Sequence, residues 1–118
     1  SDTYSTNIYT DLNPNWWQAT VASEIQIGPN NDCNVLKYES LNYQGLLYQQ
    51  TDVTTMDYVH LDYYTDNSTA IGFYVIQSGT GENGYFIHDE LGITTGEWVS
   101  IDIPLSHYTG TDLSGAKL

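Results

Sequence analysis

Residues 58–64 set Val59, Leu61 and Tyr63 on one side of an extended chain and Tyr58, His60, Asp62 and Tyr64 on the other. A period of two is what a strand with one buried face requires, because successive side chains point to opposite faces of a sheet. The pattern returns at 98–103, where Val99, Ile101 and Ile103 oppose Trp98, Ser100 and Asp102, and at 20–27, where Val21, Ile25 and Ile27 oppose Thr20, Glu24 and Gln26. Residues 34–41, 70–77 and 85–88 are further short runs rich in β-branched and aromatic residues. Turn chemistry separates them: 28–32 (Gly-Pro-Asn-Asn-Asp), 66–68 (Asp-Asn-Ser) and 78–84, which holds three glycines. No stretch sustains a 3.6-residue period; only 53–58 reads as a helical turn, with Asp52 as its N-cap. Short strands with regular turns predict an all-β chain, an antiparallel β-sandwich forming one domain over 1–118. An apolar run opens at Leu113 just before Leu118, so the sandwich is expected to lack its last strand. The alternative is a short final strand at Lys117-Leu118.

Charge narrows the partners. Two Lys and no Arg face fifteen Asp and Glu, a formal net charge of −13. Nucleic acid binding rests on many Lys/Arg–phosphate contacts, so it is excluded, and anionic membranes and heavily sulfated or carboxylated polymers are disfavoured on the same ground. No apolar run approaches the ~18 residues of a membrane span. Cys33 is the only cysteine, which rules out an internal disulfide and a cysteine-based zinc cluster, and it reads as a small buried or turn residue.

Catalytic signatures are weak. Fifteen acids in a short chain produce carboxylate pairs by chance, no G-x-S-x-G elbow surrounds a serine, and no H-E-x-x-H or phosphate-loop motif occurs. The chain is therefore expected not to be an enzyme. Asp2 and Asp11 lie in oxygen-rich, loop-like sequence that suits a calcium site built from separated segments, but without an EF-hand pattern they read better as ordinary solvated turn residues.

Aromatic residues with polar neighbours carry the strongest signal. Asn13-Pro14-Asn15-Trp16-Trp17-Gln18, Asn42-Tyr43-Gln44-Gly45 and His60-Leu61-Asp62-Tyr63-Tyr64 combine rings with hydrogen-bonding side chains. Sugars present apolar C–H faces that stack on rings, and hydroxyl rims that pair with Asp, Asn, Gln and His; aromatic side chains supply that contact area while freezing few torsions. Trp16 and Trp17 are adjacent, so one is expected inside and one exposed. The expected ligand-binding face presents His60, Asp62 and Tyr64, flanked by Trp17, Tyr43, Gln44, Tyr74 and Trp98. The competing reading is a structural or adhesive sandwich in which tyrosine is merely a good strand residue and His60 and Asp62 satisfy each other.

Asn13-Pro14-Asn15-Trp16, Leu36-Lys37-Tyr38, Leu41-Asn42-Tyr43-Gln44-Gly45, residues 56–62 and residues 96–105 together resemble a bacterial group of non-catalytic carbohydrate-binding modules, jelly-roll and galactose-binding-like, found in marine Bacteroidetes. The resemblance implies a secreted or cell-surface module that is appended to a polysaccharide-degrading enzyme or surface protein and holds it near its polysaccharide. It also implies a structural calcium near the first strand, with Asp2 and Asp11 as ligands. Trp17 stands where the group has a small residue, which marks it as a stacking candidate. The scarcity of cations favours a largely neutral algal polysaccharide such as β-1,3-glucan or agarose.

Overall fold

The computed structural model describes residues 8–77, 81–108 and 113–115. The fold is all-β, and the described residues form eight strands paired as four antiparallel two-stranded ladders. In order these are β1 (Thr10–Asp11), β2 (Val21–Ile27), β3 (Cys33–Glu39), β4 (Leu47–Tyr48), β5 (Tyr58–Tyr63), β6 (Gly72–Gln77), β7 (Gly81–Phe86) and β8 (Val99–Pro104). The pairings are β1–β4, β2–β3, β5–β8 and β6–β7. The chain divides into two compact units, residues 1–49 and 50–118, so the first two ladders belong to one unit and the last two to the other.

In the first unit, β2 and β3 form a hairpin in register from Val21↔Glu39 to Ile27↔Cys33. Its loop turns on Gly28, whose φ of 94° lies in the left-handed region open to glycine, and the Asn31 N–H donates to Gly28 O at 3.2 Å. The alternation at 20–27 predicted a buried face, yet Val21 and Ile25 are exposed. Cys33, expected in a buried or turn position, is exposed and free at the start of β3.

The second unit holds the hydrophobic core. Val75, Tyr85, Ile87, Ile101, Ile103, Leu105 and Tyr108 are buried together, with Val59, Leu61, Tyr63, Phe73 and Val99 packed against them. The strand residues among these are the inward positions of both ribbons, so β5–β8 and β6–β7 share one core, completed by Ile87, Leu105 and Tyr108 from the segments that follow β7 and β8. Burying each large side chain contributes about 1.5–3 kcal/mol, which outweighs the modest β propensity of any one strand. Leu105 N–H donates to Asp57 O and the Tyr108 hydroxyl to Phe73 O, at 2.9 and 3.2 Å, tying the chain beyond β8 to the residue that leads into β5 and to β6.

Two local expectations are corrected, and the turn expected after Asp52 is present. The run at 85–88 is not one strand: β7 ends at Phe86 and Ile87–Glu90 form a helical turn, α1, that carries Ile87 into the core. The segment expected to open a final strand is a 3₁₀ turn, Leu113–Gly115; Lys117 and Leu118 lie outside the described residues. At 53–58 there is a single hydrogen-bonded turn, Met56 N–H to Val53 O at 3.0 Å. Asp52 caps it, accepting from the Thr54 N–H and hydroxyl at 2.9 and 2.6 Å, and these bonds hold its carboxyl below the usual range.

Candidate functional site

Antiparallel register builds the site. The β5–β8 ladder places His60 opposite Asp102 and Asp62 opposite Ser100, and their inward neighbours Val59, Leu61, Ile101 and Ile103 are held by the core. Burial on one face forces these polar residues onto the other. One position past the last pair, Tyr63↔Val99, the rings of Tyr64 and Trp98 meet with centroids 5.8 Å apart and planes tilted by 52°. Tyr58, opposite Pro104, stands exposed at the far end.

Hydrogen bonds orient the polar side chains. His60 Nδ1 lies 2.7 Å from Asp102 Oδ1. A carboxylate only accepts, so Nδ1 carries the hydrogen and Nε2 turns toward Asp62 Oδ1, 3.5 Å away. Asp62 Oδ1 also accepts from the Ser100 hydroxyl, and the Tyr64 hydroxyl donates to Asp66 Oδ1 at 2.9 Å. That bond, then the Asp66 charge, pushes the Tyr64 hydroxyl pKa up. His60, Asp62 and Asp102 remain half or more exposed. The result is an open row of fixed acceptors and donors with two rings at one end and one at the other.

Two other groups of predicted residues lie elsewhere. Tyr74 is on the outward face of the β6–β7 ribbon, not with His60. Its ring covers Gly84 while Phe86 covers Gly72, and the two rings meet edge to face at 6.0 Å. A Cβ at Gly84 would lie 2.8 Å from the Tyr74 ring, so glycine is required for this close approach.

Trp17, Tyr43 and Gln44 belong to the first unit: Trp17 is on the loop between β1 and β2, and Tyr43 and Gln44 are on the β3–β4 connection that bonds to that loop. Trp17 is 91% exposed at a φ of 65°, while Trp16 is half-buried with its ring against Gly45. The exposed tryptophan of the expected division is therefore Trp17, but Trp16 is half-buried and outside the core cluster. The Tyr43 hydroxyl donates to Trp16 O, and Gln44 Nε2 donates to Asn13 Oδ1 at 3.2 Å. The anchor is Thr20, which is buried: its hydroxyl donates to Tyr43 O at 2.7 Å and accepts from the Asn42 N–H at 3.2 Å. Asn42 Oδ1 in turn accepts from the Ala19 N–H at 2.9 Å.

Asp11 Oδ1 accepts from the Asn13 N–H at 3.0 Å, as an ordinary turn carboxylate does, and Asp2 lies outside the described residues. Among the described residues, no group of three or more His, Cys, Asp or Glu is arranged to hold a metal ion. Asp11 by itself does not meet calcium's need for six to eight oxygens.

Asp102 and Ser100 are site residues that the sequence did not single out. The cue was the period-two face of 98–103, which set them beside Trp98. No family model, curated protein or solved structure matches the chain, so none of these comparisons identifies a carbohydrate-binding module.

Proposed function

We propose that the outward face of β5–β8 binds a polysaccharide without cleaving it. The observation that carries this reading is the juxtaposition of the exposed Tyr64–Trp98 ring pair with the ordered His60–Asp102 and Asp62–Ser100 pairs on one ribbon. Rings offer stacking surface to pyranose C–H faces, and carboxylates accept charge-assisted hydrogen bonds from sugar hydroxyls. Catalytic carboxylates are tuned in water-excluded settings, whereas these stand open to solvent. With Asp62, Asp66 and Asp102 on or beside the face and a formal net charge of −13, uncharged chains such as β-1,3-glucan or agarose fit better than alginate or sulfated fucan. In this reading the chain serves as a secreted or cell-surface targeting module of a larger bacterial protein.

Affinity gel electrophoresis across neutral and anionic polysaccharides tests the proposal. Retardation by a neutral polysaccharide, lost in Trp98→Ala, is expected. Retardation by none of them, or by alginate or fucoidan alone, overturns it. The structural or adhesive alternative draws on the internal pairing of His60, Asp62 and Tyr64, and it predicts no retention at all.

Calcium remains a proposal carried by the resemblance alone. A melting temperature unmoved by a chelator counts against it.

A further inference from the structure

On the glycan-binding reading above, the rungs of the β5–β8 ribbon also indicate how the sugar lies. Its outward face runs Tyr58↔Pro104, His60↔Asp102, Asp62↔Ser100, then Tyr64 beside Trp98. Same-face residues are two apart, so each step is ~6.8 Å and the three steps from Tyr58 to Tyr64 span about 20 Å. Exposed rings stand at both ends of this row, and the hydrogen-bonding side chains occupy its middle.

We propose that this face takes an internal segment of a polysaccharide laid along β5, not a chain end. Reading a chain end needs polar groups where the chain stops, to pair with the terminal hydroxyls. Here the row finishes in exposed Tyr58 and Pro104 on one side and in exposed Tyr64 and Trp98 on the other, where the Asp66 carboxylate is already engaged by the Tyr64 hydroxyl at 2.9 Å. The acceptors lie between them, where a continuing chain presents its ring hydroxyls. The separation of the two aromatic ends exceeds one sugar residue, so a ligand must be several residues long to reach both.

Isothermal titration with β-1,3-gluco-oligosaccharides and agaro-oligosaccharides, from disaccharide upward, tests this. Each is used with its reducing end intact and with that end reduced by borohydride. Affinity is expected to climb with length and then level off, and to be unchanged by end reduction. Tyr58→Ala is expected to weaken the longest oligosaccharide about tenfold, the equivalent of ~1.4 kcal/mol, while leaving the shortest unaffected. Tyr58 is exposed, so an unchanged melting curve for this variant separates lost contact from lost fold. Equal affinity at every length, or binding abolished by end reduction, overturns the chain-internal mode and leaves glycan binding standing. No binding to any oligosaccharide or to either parent polysaccharide overturns both.

Discussion

The rings of Tyr64 and Trp98 meet at 5.8 Å across the open end of the β5–β8 ladder, although 33 residues of sequence lie between them. Aromatic pairs in this geometry contribute about 0.5–1.5 kcal/mol beyond area burial. A double-mutant cycle of Tyr64→Ala and Trp98→Ala, read by urea denaturation, is expected to give a coupling energy in that range. Zero coupling would contradict the pairing.

Core and ribbon substitutions should differ sharply. Ile103 is 0% exposed and central to the cluster, so Ile103→Ala is expected to cost about 2–5 kcal/mol. Val21 is 58% exposed on β2, and Val21→Ala should stay within about 0.5 kcal/mol. Equal losses in chemical denaturation would mean that the β2–β3 ribbon is buried after all.

Gly45→Ala tests the loop that carries Trp17. A methyl group at Gly45 overlaps the Trp16 ring, so the indole must leave its seat. Overpacking of this kind costs about 1–3 kcal/mol, and an altered tryptophan emission spectrum is expected together with the loss of stability. A variant with unchanged emission and stability would argue against the Trp16–Gly45 contact.

Alkaline pH should destabilise the second unit through Tyr108. Burial, and to a lesser extent the nearby Tyr85, push its hydroxyl pKa up. A raised folded-state pKa leaves stability intact below the unfolded value of about 10 and removes it as pH rises toward the folded value. Melting temperature is therefore expected to fall above pH ~10, and to fall less steeply in Tyr108→Phe. Tyr38 and Tyr48, raised by burial in the first unit, and Tyr64 add to the wild-type decline, so the comparison with the variant isolates Tyr108. Identical slopes would contradict this assignment.

The strands that frame the site are legible because their alternation is regular: 58–64 and 98–103 each set Val, Leu, Ile and Tyr63 on one face and all their hydrogen-bonding His, Asp and Ser, with the rings of Tyr58, Tyr64 and Trp98, on the other. That pattern says which side chains share a face of one strand, but not which strand lies alongside. Hence the sequence pairs His60 with Asp62, two residues away on the same face, while its shorter contact is to Asp102, 42 residues on. Helical turn α1 is not legible in the sequence because Tyr85-Phe86-Ile87-His88 is a continuous β-prone run in which nothing marks the chain's change of direction. The two-residue strands β1 and β4 are too short to show any period. Val21 and Ile25 have the right spacing for a buried face, but spacing alone supplies no partner surface to cover them.

Backbone amide chemical shifts, followed while a neutral β-1,3-gluco- or agaro-oligosaccharide is titrated in, test the binding face most directly. The account predicts perturbations along β5 and β8, centred on His60, Asp62, Ser100 and Asp102 and extending to Tyr64 and Trp98. Perturbations confined to residues 13–18 and 42–45, or none at saturating sugar, would contradict it.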